Sequence, residues 1–318
     1  MKHLAVLCLA LATCGCDDRA PVTEPTDGPT DDPGASPVQL ASPVLLEHDA
    51  DAPAAVQALA LSPDGTNAVA AGWGGRVVAL PLDGAASRAL HQVGDGDLFM
   101  EGALAWSGDR VAVGTFSGLT LLDTSGAVIA ALEGRTRAVI ASGDGFLRTT
   151  RDEVQRVGPD GAIAVTSAVA DPYAVVETSE AVFVLTSPDG VEREVAELDP
   201  ATLSERRRWA AAGNVLFGSR DGTLATIVLD TVTLRSASGE PLGALPTDDL
   251  PGDLVALSFA GSWVAGVGFA EGVAIFDVAS RRLLARAGGA TERGLVLDGD
   301  RRVIVGGDDG VLVYAIER

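Results

Sequence analysis

The sequence predicts an all-β protein, and three observations support this fold class. No helical period of 3.6 residues is sustained anywhere beyond residue 37. Short runs of Val, Ala, Leu and Ile instead alternate with Gly, Asp and Ser, which favour tight turns between strands. The composition agrees, because 47% of the residues are hydrophobic, 38 of the 318 are glycine, and only 4% are aromatic.

A unit of four strands, with a tight turn between the second and third, recurs along the chain. These turns follow one another about every 39 residues from Gly75 to Gly310, close to the period of a four-stranded propeller blade. The copies begin near Val56, Gly102, Ala138, Ala174, Gly213, Leu254 and Gly294. We therefore predict a seven-bladed β-propeller of four-stranded antiparallel blades, with six or eight blades as the alternatives.

The last copy ends at Arg318 after its third strand, so its sheet lacks an outer strand. Residues 39–48 precede the first copy and have no sheet of their own. Pairing this segment with the last copy would cover an open sheet edge. We therefore expect an N-terminal outer strand to close the ring.

Several segments resemble blades of known propeller families. Residues 62–65 read SPDG and residues 306–316 read GGDDGVLVYAI, and both are similar to WD-repeat and YVTN-type blades. Residues 198–209 are similar to repeats of quinoprotein-like propellers. The resemblance covers roughly residues 38–318 and implies the propeller fold.

The beginning of the chain predicts secretion and lipidation. Lys2 and His3 precede an apolar run at residues 4–12, which is typical of a signal peptide and too short to span a bilayer. The segment that ends in Cys16 resembles the lipobox of bacterial lipoproteins, which implies a lipid on that cysteine. Lipidation of Cys14 and an ordinary secreted protein are the alternatives. No cysteine follows Cys16, so we expect no disulfide in the folded part.

Residues 17–37 contain six acidic residues, five prolines and one arginine, and a single valine is their only large aliphatic residue. Such a segment cannot bury a core. We expect residues 1–15 to be a lipoprotein signal peptide, residues 16–37 to be the lipidated cysteine and a disordered acidic tether, and residues 38–318 to be the propeller. A tether that binds a partner or carries glycans is the alternative.

Residue types that perform catalysis or bind metals are scarce beyond the leader. Only His48 and His91 remain there. His48 lies on the predicted closing strand and His91 lies just after a predicted outer strand, far apart in the ring. We therefore expect no catalytic residue, no cofactor and no His-based or thiolate metal site. The net charge of −21 disfavours nucleic acid and anionic membrane surfaces, so we expect membrane contact through the lipid anchor only.

One rim of the predicted ring is the candidate binding surface. The loops between blades and the turns between second and third strands should emerge there, and loops on a rigid scaffold commonly carry function. Acidic residues are frequent in these loops, and aromatic residues, which interfaces favour, lie close to them. The predicted partner-binding residues are Asp248, Asp249, Asp253, Trp73, Tyr173 and Trp209. Solubility of an acidic domain is the alternative explanation of the charge.

The sequence thus favours a non-catalytic, lipid-anchored propeller of the bacterial cell envelope, periplasmic or surface-facing, that binds another protein. Its plan is comparable to that of propeller lipoproteins that assist outer-membrane protein assembly, a comparison that rests on fold and anchor. The alternative is a propeller enzyme of the lactonase or quinone-dependent dehydrogenase type, with a metal site in the central channel.

Overall fold

The computed structural model describes residues 38–46, 54–94, 99–190, 192–211, 213, 215–228, 231–246, 254–268, 272–288, 292–308 and 310–318. These residues form strands, turns and loops, and no helix occurs among them. A helix able to cross a membrane is accordingly not found in this part of the chain. The predicted signal peptide, lipidated cysteine and tether lie outside the described residues.

The described strands form seven antiparallel sheets, and consecutive strands are neighbours within each sheet. Two short strands come first: β1 (Gln39–Leu40) and β2 (Val44–Leu46). Blade 1 contains β3 (Ala54–Leu61), β4 (Asn67–Trp73), β5 (Arg76–Pro81) and β6 (Arg88–Gln92). Blade 2 contains β7 (Phe99–Ser107), β8 (Arg110–Thr115), β9 (Gly118–Asp123) and β10 (Val128–Glu133). Blade 3 contains β11 (Ala138–Ser142), β12 (Gly145–Thr149), β13 (Glu153–Val157) and β14 (Ile163–Ala168).

The next three blades follow the same plan of four consecutive strands. Blade 4 contains β15 (Pro172–Glu177), β16 (Val182–Thr186), β17 (Glu194–Leu198) and β18 (Glu205–Ala210). Blade 5 contains β19 (Val215–Gly218), β20 (Leu224–Val228), β21 (Thr231–Arg235) and β22 (Pro241–Ala244). Blade 6 contains β23 (Leu254–Ala260), β24 (Trp263–Gly268), β25 (Gly272–Asp277) and β26 (Leu283–Ala287). Blade 7 contains β27 (Glu292–Asp298), β28 (Arg302–Gly307) and β29 (Gly310–Glu317).

The blades form a closed ring with the first strand of each blade innermost. The first strands β3, β7, β11, β15, β19, β23 and β27 are neighbours in this order, and β27 returns to β3. The described residues form one cluster of buried apolar side chains at each interface between adjacent blades, including the interface between blades 7 and 1. The prediction of an all-β, seven-bladed propeller is therefore confirmed.

The N-terminal segment completes the sheet of blade 7, as predicted. Both β1 and β2 pair antiparallel with β29, the third strand of that blade. The predicted single strand is interrupted, because Leu40 lies opposite Ile316 whereas Val44 lies opposite Val313. The N-terminal strand thus carries one extra residue, as in a β-bulge, and Pro43 in this stretch has no N–H to donate to the ladder.

Side chains from both ends of the chain close the ring. Asp298, which is 7% exposed, accepts hydrogen bonds from Arg301 and Arg302, and Arg302 also donates to the carbonyl of Gly65 in blade 1. Gly306 packs so closely on blade 1 that an added Cβ atom would lie 2.4 Å from Cγ1 of Val56. Blades 1 and 7 are therefore held by direct contacts as well as by the outer strand.

Candidate functional site

The alternation of strand direction brings the inter-blade loops and the turns between second and third strands to the same end of the ring. We call this end the loop rim. In blades 2 to 4 the loop rim comprises residues 116–117, 134–137, 150–152, 169–171, 187–190 and 192–193. Its members can act together because the innermost strands of blades 2, 3 and 4 are neighbours.

The predicted partner-binding residues are described only in part. Asp248, Asp249 and Asp253 lie outside the described residues, as does the predicted lipidation site Cys16. Trp73 is the last residue of β4, and the structure does not describe its side chain. The two other aromatic residues, Tyr173 on β15 and Trp209 on β18, are both half-buried. A role of these residues in partner binding stays a prediction.

Two arginine side chains lie over the ring of Tyr173. The Cζ atom of Arg137 is 4.7 Å from the ring centroid, and that of Arg193 is 4.3 Å from it. Arg137 directly precedes the innermost strand of blade 3, whereas Arg193 directly precedes the third strand of blade 4. Cations at such distances are attracted by the negative face of an aromatic ring. The loop rim thus joins blades 3 and 4 through one aromatic ring and two cations.

Asp171 is the carboxylate of this group. Its Oδ1 lies 2.5 Å from Nη1 of Arg137, and its Oδ2 accepts a hydrogen bond from the Tyr173 hydroxyl. Burial raises the pKa of Asp171, but these hydrogen bonds and the charges of Arg137 and Arg193 outweigh burial and lower the pKa below its ordinary value of 3.8. The backbone adopts a φ of +49°, a left-handed conformation that few residues other than glycine favour. Asp171 is therefore an ionised carboxylate in a defined position.

Three buried hydrogen-bond donors near Asp171 have no partner in the part of the chain that the structure describes. Ser187 is adjacent, because its backbone N–H donates to the Asp171 carbonyl at 3.4 Å, and its side chain is almost fully buried. The Ser187 hydroxyl, Nε of Arg137 and Nη1 of Arg193 are buried without a hydrogen-bond partner among the described residues. A buried donor without a partner costs about 1–3 kcal/mol. We call Arg137, Asp171, Tyr173, Ser187 and Arg193 the rim cluster.

The basic run before Trp209 lies on the outer strand of blade 4, where each arginine pairs with a carboxylate. The ion pairs are Arg206–Asp199 at 2.7 Å, Arg208–Glu194 at 3.0 Å, Arg208–Glu205 at 2.5 Å, and Arg207–Glu197. Glu197 and Arg207 are directly opposite each other on β17 and β18, where a cross-strand ion pair stabilises the sheet. We call these three arginines and their four carboxylates the outer-strand cluster.

Trp209 takes part in the packing between blades 4 and 5. Its ring meets Phe183 edge-on, with centroids 5.8 Å apart and an interplanar angle of 66°. An added Cβ atom at Gly239 of blade 5 would lie 2.9 Å from the indole, so the two residues are in close contact. Within the described ranges, no ring contact joins Trp209 to Tyr173. Trp209 thus contacts blade 5, whereas Tyr173 contacts Arg137 at the start of blade 3.

Arg137, Arg193, Ser187 and Asp171 were not predicted as site residues. The repeat pattern nevertheless places all four at the loop rim, since each directly precedes or follows a strand there. Arginines at rim positions of an acidic chain are the signal that could identify Arg137 and Arg193. Ser187 begins a second SPDG turn, at residues 187–190, and only its environment distinguishes it from Ser62.

The histidines and metal-binding side chains add little to the site. His91 lies on β6, where burial lowers its pKa, and His48 lies outside the described residues. In the part of the chain that the structure describes, no group of three or more His, Cys, Asp or Glu residues is arranged to hold a metal ion.

The chain matches no protein-family model and no curated protein sequence. Its resemblance to WD-repeat, YVTN-type and quinoprotein-like propellers therefore stays a prediction, whereas the seven-bladed propeller is confirmed by the order of strands in the sheets. A propeller hosts many unrelated activities, so the function has to be argued from the loop rim and its side chains.

Proposed function

We propose that this protein is a non-catalytic, lipid-anchored binding protein of the bacterial cell envelope, which holds another protein on its loop rim. The observation that carries the proposal is the ring of Tyr173 with Arg137 and Arg193 lying over it. Tyrosine and arginine are enriched among the residues that dominate the binding energy of protein interfaces. A cluster of this kind on a rim built from loops is suited to docking a protein.

The scaffold supports this proposal because it fixes the loops before a partner arrives. Each blade is packed on both of its faces by apolar clusters shared with its two neighbours. Asp171 further ties Arg137, which precedes blade 3, to Tyr173 of blade 4. A preorganised surface loses little conformational freedom on binding, so more of the contact energy remains as affinity.

The proposed location rests on the sequence. The segment that ends in Cys16 resembles a lipobox, and several acyl chains on one residue anchor a protein stably where one chain does not. The acidic, proline-rich residues 17–37 suit an extended tether that leaves the loop rim accessible. In this arrangement the propeller contacts the membrane through its anchor only.

Affinity capture from solubilised membranes, with the full chain carrying a C-terminal tag, tests the docking surface. Tyr173→Ala should reduce recovery of a specific protein by about tenfold or more, because truncating a central interface aromatic costs about 2 kcal/mol or more. Ile163→Ala is the matched control, since Ile163 is 45% exposed on outer strand β14, and it should leave recovery unchanged. Equal recovery by Tyr173→Ala and the wild type would exclude the rim cluster as the docking surface.

The same tagged chain tests the anchor by incorporation of labelled palmitate. The label should be lost in Cys16→Ser and retained in Cys14→Ser, because the thioether requires the sulfur of the lipidated residue. The opposite pattern would assign the lipid to Cys14. Retention in both variants would contradict lipidation of this segment.

A further inference from the structure

We propose that the rim cluster binds a carboxylate group, and that a carboxylate is what the loop rim recognises on a protein partner. The second half of this inference rests on the proposed function. The carboxylate site itself can be tested without any partner.

The charges of the rim cluster favour a singly charged anion. Arg137 and Arg193 supply two positive charges, and Asp171 supplies one negative charge, so one positive charge is left over in a chain of net charge −21. Asp171 is paired with Arg137, whereas Arg193 makes no ion pair among the described residues and rests on the Tyr173 ring. One carboxylate balances this surplus, while a doubly charged phosphate exceeds it.

The free donors match the acceptors of a carboxylate. Among the described residues, Nε of Arg137, Nη1 of Arg193 and the Ser187 hydroxyl have no hydrogen-bond partner. Both arginines lie over the Tyr173 ring, and the Ser187 backbone N–H donates to the Asp171 carbonyl. A carboxylate has two oxygens with about four acceptor positions and forms its strongest hydrogen bonds with guanidinium groups. Binding would therefore satisfy groups that are costly to leave unpaired.

Comparison of the two SPDG turns shows that the Ser187 hydroxyl, unlike the Ser62 hydroxyl, makes no hydrogen bond within its own turn. In the first turn, the Ser62 hydroxyl donates to Oδ1 of Asp64 at 2.6 Å and accepts from the backbone N–H of Asn67 at 2.9 Å. In the second turn, Oδ1 of Asp189 instead accepts from the backbone N–H of Glu192 at 2.8 Å. The same tetrapeptide thus uses its serine within the turn at one site and leaves it unpartnered at the rim cluster.

Access to the site depends on Arg193. The unpartnered donors are covered by neighbouring atoms, while the Asp171 side chain is 30% exposed at the rim. The long Arg193 side chain is half-buried and lies on the Tyr173 ring without an ion pair among the described residues, so its rotation admits a ligand at low cost. The bound carboxylate then pairs with Arg193 beside Asp171.

NMR of the arginine Nε–Hε groups tests the site, with the full chain titrated with sodium acetate at constant ionic strength. The Arg137 and Arg193 signals should shift saturably. Arg193→Gln should weaken acetate binding about tenfold or more, while Arg193→Lys should retain part of it because the charge remains. Arg206→Gln is the matched control, since Arg206 lies in the outer-strand cluster, and it should bind acetate like the wild type. The backbone amide spectrum shows that each variant is folded.

Two further probes distinguish the sources of the carboxylate: an acidic peptide with blocked termini, and a neutral peptide with a free C-terminus. Saturable binding of acetate or of either peptide that is weakened in Arg193→Gln supports the site, and the tightest probe identifies the source. Tighter binding of inorganic phosphate than of every carboxylate probe would overturn the proposal, as would equal shifts with chloride or no saturable shift at all. Such a failure leaves the capture experiment intact, because Tyr173 can contact a partner without any carboxylate.

Discussion

Blade 4 takes part in two arginine clusters that differ in their balance of charge. In the outer-strand cluster, three arginines on β18 meet four carboxylates. In the rim cluster, Arg137 and Arg193 lie near one carboxylate, Asp171, which forms an ion pair with Arg137. Both clusters also place an arginine over an aromatic ring. The Cζ atom of Arg207 is 5.2 Å from the ring centroid of Trp209, and that of Arg193 is 4.3 Å from the ring centroid of Tyr173. The presence of arginine beside an aromatic residue therefore does not by itself identify a binding surface.

The number of carboxylates relative to arginines distinguishes a cluster that only stabilises the fold from one that can also bind an anionic ligand. Hydrogen bonds from Arg208 lower the pKa of Glu205, and those from the Thr202 backbone and Arg206 lower the pKa of Asp199. The outer-strand arginines are thus saturated by their own chain, and they hold β17 and β18 together. The rim cluster keeps free donors and surplus positive charge, which is what an anionic ligand requires.

The largest expected effect concerns the ring that holds both clusters. Deleting residues 1–49 removes β1 and β2 and with them Leu46, which is buried between blades 7 and 1. Loss of one buried leucine and an outer strand should cost about 3 kcal/mol or more and lower the Tm by roughly 10 °C. Deleting residues 1–37 should leave the Tm nearly unchanged. Thermal unfolding of both truncated chains checks this, and equal Tm values would mean that blade 7 does not depend on the N-terminal segment.

A smaller loss of stability should come from the buried carboxylate of the outer-strand cluster. Glu197 is 9% exposed and pairs with Arg207 and, at 3.8 Å, with Arg206, so Glu197→Gln leaves two arginines without their shared carboxylate. We expect a destabilisation of about 1–2 kcal/mol in urea unfolding. Glu205→Gln is the matched control and should stay within about 0.5 kcal/mol, because Arg208 keeps Glu194. An effect of Glu205→Gln as large as that of Glu197→Gln would show that burial does not decide the strength of these pairs.

The fold could be predicted from the sequence because its signals are local and repeated. Strand and turn residues recur with a constant period, and the count of strands leaves one place for the N-terminal segment. The rim cluster could be predicted only in part, as Tyr173. Its partners Arg137 and Arg193 come from different blades, and which carboxylate each arginine meets depends on how those blades pack. The two SPDG turns make the same point, since identical residues differ in their hydrogen bonds.

The smallest expected effect is on the titration of Asp171. Tyr173→Phe removes the hydroxyl that donates to Asp171 and retains the ring, so the pKa of Asp171 should rise toward 3.8. Carbon-13 NMR of the Asp171 carboxyl measures this directly. A carboxyl whose pKa is lowered in the folded state contributes stability above its unfolded pKa and loses it as pH falls through the folded pKa. The difference in unfolding free energy between wild type and Tyr173→Phe should therefore be constant above about pH 5 and narrow below pH 3.8.

Asp171→Asn provides the control, because an amide does not titrate in this range. When Asp171→Asn is present, the change in unfolding free energy caused by Tyr173→Phe should not depend on pH below pH 5, because the Asp171 carboxyl no longer titrates. An unchanged carboxyl titration in Tyr173→Phe would mean that burial, Arg137 and Arg193 set the pKa of Asp171 without the Tyr173 hydroxyl. The rim cluster would then resemble the outer-strand cluster, in which arginines rather than an aromatic hydroxyl hold the carboxylates in their ionised form.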